Sequence, residues 1–343
     1  MMENNLKTEN LSPELFKVVG QESHEAEKIV RPSLTFWQDA WRHLLKNKGA
    51  IFGLVMVVIF GLLAIFAPMT SGYTYKQQDI ANSKLPPRVQ GLENISWLPF
   101  DGTDKNGVNV YEKNGIEDRY HWFGTDDLGR DQWTRVWYGA RISLYIAILA
   151  AVIEFFIGVT YGGISGFFGG RIDAVMQRII EVLVGIPYLI VVILMILIFE
   201  KPGVISITLA MVITGWIGMA RMVRGQFLKL RDQEYVLASK TLGASNRSLI
   251  FKHLLPNVLG PIIVTSMFTI PGAIFTEAFL SFIGLGIAAP EASLGSLVND
   301  GFRYIKSYPY LLIIPSLAIS ILILSFNLLA DGLRDALDPK MRK

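Results

Sequence analysis

The segment EYVLASKTLGAS at residues 234–245 is the most informative stretch of this sequence. It is polar and rich in small residues, and it separates two long apolar stretches. Glu234 favours the positive end of a helix dipole, and Gly243 can take the left-handed conformation that ends a helix. Asp232 and Ser245 are candidate N-caps. The segment therefore predicts two short helices joined by a tight break.

Small side chains keep the surface of this segment low, so a helix here could enter a groove of a partner protein. The small residues are Ala238, Ser239, Gly243 and Ala244. Tyr235, Val236 and Leu242 predict one apolar side of the first helix, and the apolar stripe of the second is expected to end at Pro256. An ordinary interfacial loop is the alternative, and the spacing alone leaves it open.

The composition of the 343-residue chain indicates a membrane protein. Hydrophobic residues make up 51% and charged residues 18%, and the mean hydropathy is +0.40. Six apolar stretches are near the roughly 20 residues that cross a bilayer. They lie at residues 49–68, 142–165, 179–199, 204–222, 258–286 and 310–330. The sequence therefore predicts an all-α integral membrane fold with six transmembrane helices.

The remaining segments differ in character. An amphipathic stretch with Trp37 and Trp41 precedes the first span and predicts a helix lying in the membrane surface. Before the core, the predicted divisions are a disordered cytoplasmic tail at 1–32, this interfacial helix at 33–48, the first span at 49–68 and a large extracellular loop at 69–138. A core of five spans follows at 142–330 and includes the polar loop 223–257. A cytoplasmic tail is predicted at 331–343.

Positive charges set the predicted orientation. Lysines and arginines precede the first span, lie in the loops after the second and fourth spans, and close the chain. The two short loops on the opposite side carry only Lys201, Arg303 and Lys306. Both termini are therefore predicted to be cytoplasmic.

Four glycines recur at intervals of four in the second span, at Gly158, Gly162, Gly166 and Gly170. In a helix they form one stripe without side chains, which lets another helix approach closely. The partner helix belongs either to the same subunit or to a second subunit, and the spacing favours neither.

Glu154 and Glu277 are ionisable residues within apolar stretches. Such groups are costly in a bilayer, so they face a cavity or a polar partner. One hypothesis places them in a translocation path or gate, with Glu277 near the central pathway. The alternative is that each is a hydrogen-bonded structural carboxylate.

Enzymatic chemistry finds little support in the sequence. There is no cysteine, the four histidines have no ligand spacing, and no phosphate-binding loop of the G-x-x-x-x-G-K-[ST] type occurs. Asp126, Asp127 and Asp131 suggest a metal site, but the glycines and arginine around them favour caps and turns. We therefore expect no catalytic residues, no metal site, no cofactor and no nucleic-acid partner.

Several motifs resemble one transporter family. Residues 234–245 resemble the EAA loop of bacterial ABC-transporter permeases, with Glu234, Ala238 and Gly243 matching and Ser239 where a second alanine is common. Longer matches to the OppC/DppC-type permease subunits of peptide importers are FGTDDLGRD at 123–131, GARISL at 139–144, EAFLSFIGLG at 277–286 and DGLRDALDP at 331–339.

The resemblance implies a type I ABC importer permease fold in a bacterial cell membrane. It implies an OppB-like second permease, two OppD/OppF-like ATPase subunits that hold ATP and magnesium, and an extracellular peptide-binding lipoprotein. Contact with membrane lipid follows from the spans. The residues that would couple to the ATPases are Glu234, Tyr235, Ala238, Ser239, Gly243, Ala244 and Ser245.

The cargo and two other classes of protein stay open. The resemblance extends to nickel permeases, so nickel or another small solute is an alternative to oligopeptides or dipeptides. An ion-coupled secondary transporter would use Glu154 and Glu277 as proton carriers, with unwound helices and an inverted repeat. A membrane scaffold without transport is the third reading.

Overall fold

The computed structural model describes residues 35–93 and 98–337. The predicted tail at 1–32 and the last part of the predicted tail at 331–343 lie outside these residues. By its internal contacts the chain divides into Met1–Asp39 and Ala40–Lys343. The description below concerns the second unit, apart from a first helix that begins in the first.

The described residues form helices joined by turns, short loops and, between α2 and α4, a long segment with little helix. The helices are α1 (Phe36–Leu44), α2 (Lys48–Phe66), α3 (Val110–Lys113), α4 (Gln132–Phe168), α5 (Gly170–Val184), α6 (Tyr188–Ile198), α7 (Val204–Arg231), α8 (Glu234–Thr241), α9 (Asn246–Ser248), α10 (Leu255–Phe282), α11 (Leu294–Phe302) and α12 (Tyr310–Leu337), with 3₁₀ turns at Ala67–Met69 and Ile80–Asn82 and a π turn at Leu249–Leu254.

Five helical segments are long and apolar enough to cross a membrane. They are α2 with its following turn, α4, α7, the continuous helix Asn246–Phe282, and α12. The bent pair α5 and α6 supplies a sixth if it is counted as one span. Within residues 35–93 and 98–337 the only β-type pairing is isolated bridges. The prediction of an all-α membrane fold is therefore confirmed.

The predicted span at 179–199 is not one straight helix. α5 and α6 meet at an angle of 80°. The break falls at Gly185 and Pro187, and Pro187 stands at the N-cap of α6. Because proline has no N–H and clashes with the preceding turn, a helix ends before it.

Two other spans extend further than the hydropathy indicates. α4 begins at Gln132, not near residue 142, because the Asp131 carboxylate accepts a hydrogen bond from the backbone N–H of Thr134 and caps the helix. The predicted extracellular loop therefore stops at residue 131. α7 continues to Arg231, nine residues past the predicted end at 222, so much of the predicted polar loop is helical.

The sequence predicts that the helix after α8 ends at Pro256. In the structure this helix continues past Pro256. A π turn at Leu249–Leu254 leads directly into α10. Pro256 is then the second residue of α10, directly after the π turn. The second short helix of the segment is therefore the start of a membrane helix.

The segment after α2, which the sequence predicts to be extracellular, is folded. Tyr111 is fully buried and donates its hydroxyl proton to the carbonyl of Pro86 at 2.9 Å. Asp126 accepts from the Arg130 guanidinium at 2.7 Å and from the backbone N–H groups of Leu128 and Arg130. The prediction that these aspartates form caps and turns is confirmed for Asp126 and Asp131.

A second carboxylate of this segment, Asp79, connects separate turns. It accepts hydrogen bonds from Asn82 and from Arg119, each at 2.9 Å. The bond from Asn82 contributes most to holding the pKa of Asp79 below its usual value, although partial burial opposes it. The segment is therefore held by its own polar contacts.

Candidate functional site

α8 is a short helix at the end of α7, and its termination follows the prediction. Gly243 has a φ of +86°, the left-handed conformation. The backbone N–H groups of Leu242 and Ala244 donate to the carbonyls of Ala238 and Ser239, each at 3.1 Å. Ser245 caps the next helix, since its hydroxyl accepts from the backbone N–H of Ser248 at 3.3 Å.

The cap at the start of α8 differs from the prediction. Asp232 stands at the C-cap of α7, and Gln233 is the N-cap of α8, without a side-chain hydrogen bond to the helix. The sequence places α8 one residue too early because α7 runs nine residues longer than hydropathy indicates.

Most of α8 is exposed. Leu242 is 88% exposed and Tyr235 is 43% exposed, so they do not form a buried apolar side with Val236 as the sequence predicts. Val236 alone is buried, at 2% exposure. It belongs to a buried cluster with Phe227 of α7 and Leu249 of the π turn. Val236 is therefore the buried anchor of α8 on the membrane helices, the Tyr235 hydroxyl accepts a hydrogen bond from Asn257 of α10 at 3.5 Å, and most of the helix faces outward.

The small residues of this segment protrude little from the helix surface, as the sequence predicts. Ala238 and Gly243 are exposed, and a methyl group placed on Gly243 would meet no atom within 4 Å. Ser239 donates its hydroxyl proton to the Tyr235 carbonyl at 2.8 Å, so this side chain folds back on its own helix. The surface suits the approach of another protein.

The glycine stripe packs within the chain. A Cβ atom on Gly158 would lie 2.6 Å from the Cβ of Met219, and one on Gly162 would lie 2.3 Å from the carbonyl oxygen of Ala220. These contacts and the equivalent one at Gly166 bring α4 against α7. The partner of the stripe is therefore a helix of the same subunit.

Gly170 does not belong to this stripe. α4 ends at Phe168, and Gly170 has a φ of +52° with open space where its Cβ would stand. The regular spacing suggests a fourth member, but a positive φ at Gly169 has already turned the chain. This part of the helix-packing prediction is wrong.

An ion pair holds the ends of the same helices together. Arg224 of α7 donates two hydrogen bonds to Asp173 of α5, each at 2.6 Å. Ser165 of α4 also donates to Asp173. α4, α5 and α7 are thus connected at the end nearest α8.

Glu277 is enclosed by hydroxyl groups. It is 0% exposed, and its carboxylate accepts from Ser143 of α4 and from Ser281 of its own helix, each at 2.7 Å. The backbone N–H of Leu294 donates to the same Ser143 hydroxyl at 3.3 Å. These contacts are those of a structural carboxylate that joins α4, α10 and α11; a role in the pathway stays a prediction.

Glu154 has different surroundings. It lines a cavity of about 380 Å³ together with Tyr188, Thr214 and Thr269. The sequence identifies Glu154 but not the other lining residues, which come from α6, α7 and α10. Threonines in apolar spans, at 214, 269 and 276, are the only sequence signal that points to them.

The comparisons with known proteins concern the whole chain. The family described as binding-protein-dependent transport system inner membrane component matches residues 158–343. The N-terminal TM domain of oligopeptide transport permease C matches residues 35–87.

Curated relatives align over nearly the full length. The dipeptide transport system permease protein DppC of Bacillus subtilis is 47% identical, over 97% of this chain and 95% of that protein. The oligopeptide transport system permease protein OppC of the same organism is 46% identical, over 98% of this chain and 100% of that protein. OppC of Escherichia coli is 35% identical, over 92% and 95%.

A solved structure is also similar. It is an inward-facing conformation of the MetNI methionine ABC transporter, with 19% identity, a TM-score of 0.49, and coverage of 60% of this chain and 94% of that chain. The family match and the full-length relatives are sufficient by themselves. This chain belongs to the family of inner-membrane permease components of binding-protein-dependent transport systems, as a multi-pass bacterial membrane protein.

Proposed function

We propose that this chain is the permease subunit of an ATP-driven type I ABC importer that moves oligopeptides or dipeptides into a bacterial cell. The cargo is inferred from relatives whose names specify dipeptide and oligopeptide transport. An extracellular lipoprotein delivers the peptide, and an OppB-like permease completes the pathway. Both termini are cytoplasmic, so α8 faces the cytosol.

The observation that carries this proposal is the exposed helix α8, anchored through one buried valine. The residues that meet an OppD/OppF-like ATPase are Glu234, Tyr235, Ala238, Ser239, Gly243, Ala244 and Ser245. Because the sequence has no phosphate-binding loop, ATP and magnesium are held by those partners. α8 supplies shape to the contact and takes no part in hydrolysis.

A continuous path leads from α8 into the membrane. Four residues separate Thr241 from Asn246, where the helix that ends at Phe282 begins. When two ATPases close around ATP, α8 moves with the ATPase to which it is bound. The helix beginning at Asn246 and the preceding helix α7 then change the side on which the pathway opens.

A substitution at Ala238 tests the contact. Ala238 is exposed and lies inside α8, where arginine is a good helix former, so Ala238→Arg adds bulk without disturbing the fold. The matched control is Ala81→Arg, the same change at an exposed alanine of the extracellular segment. Each variant is expressed with its partner subunits, and peptide uptake and the amount of ATPase bound to the membrane complex are measured.

We expect Ala238→Arg to insert normally, to bind less ATPase and to lose at least about tenfold in uptake, as an obstructed interface contact of about 1.4 kcal/mol would cause. Ala81→Arg is expected to behave as the wild type. Full uptake with normal ATPase binding in Ala238→Arg would contradict the proposed contact.

A further inference from the structure

The cavity beside Glu154 opens to the surface of the chain among four helices. Its lining comes from the middle of α4, α7 and α10 and from the first residue of α6. Its volume of about 380 Å³ is within the range of small-molecule sites. Three threonines contribute hydroxyl groups to the lining, at 214, 269 and 276.

Two polar groups in this cavity lack partners. Glu154 is only 7% exposed, yet no hydrogen bond or ion pair to its carboxylate occurs among the described residues. The Tyr188 hydroxyl is buried without a hydrogen-bond partner in the same part of the chain. A carboxylate and a hydroxyl that have no partner within the described chain, both lining one open cavity, are available to a ligand that enters it.

Other buried carboxylates of the chain are satisfied from within. Glu277 accepts from Ser143 and Ser281, and Asp126 accepts from Arg130. No lysine or arginine lines the cavity of Glu154. The lining of the cavity therefore offers this carboxylate no positive counter-charge.

Two glycines keep the site accessible. Gly215 and Gly272 line the cavity and are exposed at the surface of the chain. A Cβ atom on residue 215 would lie 1.9 Å from Oε1 of Glu154, so only glycine leaves room for the carboxylate in this position. Glycine at position 215 therefore helps to keep the cavity open and also leaves room for the Glu154 carboxylate.

We propose that this cavity binds the N-terminal ammonium group of a peptide during its passage, with Glu154 as the counter-charge and the Tyr188 hydroxyl as an acceptor. The proposal rests on the proposed function, since it takes a peptide as the cargo. An ammonium group has three donors and no acceptor, which matches a carboxylate and hydroxyl oxygens. Peptides of every sequence carry an N-terminal ammonium group, so a single carboxylate can bind peptides that differ in their side chains.

Equilibrium binding to the membrane complex tests this site apart from the binding protein. The complex of both permeases and both ATPases is reconstituted without the binding protein, and weak binding is measured by saturation-transfer NMR. The probes are tri-alanine and propionyl-dialanine, which has the same length but no amino group. The variants are Glu154→Gln, Glu154→Asp and, as a matched buried-carboxylate control, Glu277→Gln.

We expect the wild type to bind tri-alanine more tightly than propionyl-dialanine. Glu154→Gln should weaken tri-alanine binding about tenfold, the contribution of one charge-assisted hydrogen bond, and leave propionyl-dialanine unchanged. Glu154→Asp and Glu277→Gln should keep the preference for the free amino group.

Equal binding of tri-alanine by the wild type and by Glu154→Gln would overturn the proposal. The proposal would also be overturned if the two permeases separate in the Glu154→Gln complex while the preference for the free amino group persists. In that case Glu154 pairs with a cation of the second permease. ATP-driven uptake of tri-alanine by the wild-type complex with its binding protein is measured in parallel. Absence of that uptake refutes the proposed function, whereas normal uptake with an unchanged preference in Glu154→Gln refutes only the ammonium site.

Discussion

At the scale of single residues, the contact of α4 with α7 depends on the absence of a methyl group at Gly162. A Cβ there would lie 2.3 Å from the Ala220 carbonyl oxygen, and backbone cannot move aside cheaply. We expect Gly162→Ala to destabilise the protein by about 1–3 kcal/mol. Thermal unfolding in detergent measures this.

Gly218 on α7 supplies the control, because a methyl group there would meet no atom within 4 Å. Gly218→Ala should be neutral or stabilising by up to about 1 kcal/mol, since alanine favours a helix. Equal unfolding temperatures for the two variants would show that the stripe does not set the distance between α4 and α7.

Glu277 gives a second prediction at this scale. Replacement by leucine leaves the hydroxyls of Ser143 and Ser281 without their acceptor in a buried site. We expect Glu277→Leu to cost about 1–3 kcal/mol and Glu277→Gln to cost less, because the amide oxygen still accepts. Uptake per inserted molecule should be unchanged in Glu277→Gln. A variant of normal stability that has lost uptake would instead make Glu277 part of the pathway.

At the scale of elements, α8 is held by Val236. Val236→Ala removes two methyl groups from a buried cluster, worth about 1.5 kcal/mol at about 0.8 kcal/mol each. Since α8 opens locally, its amide hydrogen exchange should accelerate about tenfold while exchange in α7 stays as in the wild type. Leu237→Ala, at an exposed position of the same helix, should change neither. Equal exchange in Val236→Ala and the wild type would exclude Val236 as the anchor.

Local chemistry made some elements predictable. The left-handed Gly243, the cap at Ser245 and the turns around Asp126 depend on neighbours within a few residues, so the sequence contains their causes. The apolar stretches likewise predict the spans, and the composition of residues 234–245 predicts the short helix α8. Hydropathy misplaced the ends of α4 and α7 because polar and charged residues, such as Gln132 and Arg135 in α4 and Lys229 and Arg231 in α7, continue the same helices beyond the apolar stretches.

Features that depend on distant parts of the chain were not predictable. Burial of Val236 needs Phe227 and the π turn, and the sequence gives no sign of that turn. The cavity joins Glu154 to Tyr188 and Thr269, which come together only after three helices have packed. Gly170 continues the spacing of the stripe but follows a turn at Gly169, so periodicity alone overextends the helix.

At the scale of the whole molecule, the rival to a driven permease is a carrier that works alone. The break between α5 and α6 and the Glu154 carboxylate in its open cavity are features that a proton-coupled carrier would also use. Family membership and the exposed α8 favour a permease moved by partner ATPases. The two accounts differ in the source of energy.

Reconstitution in vesicles decides between these energy sources. The chain is purified alone in one set of vesicles, and with its second permease, two ATPases and binding protein in another. We predict that the complete assembly accumulates tri-alanine only when ATP and magnesium are supplied, and that the chain alone accumulates none under a proton or sodium gradient. Accumulation by the chain alone, driven by an ion gradient without ATP, would contradict the account.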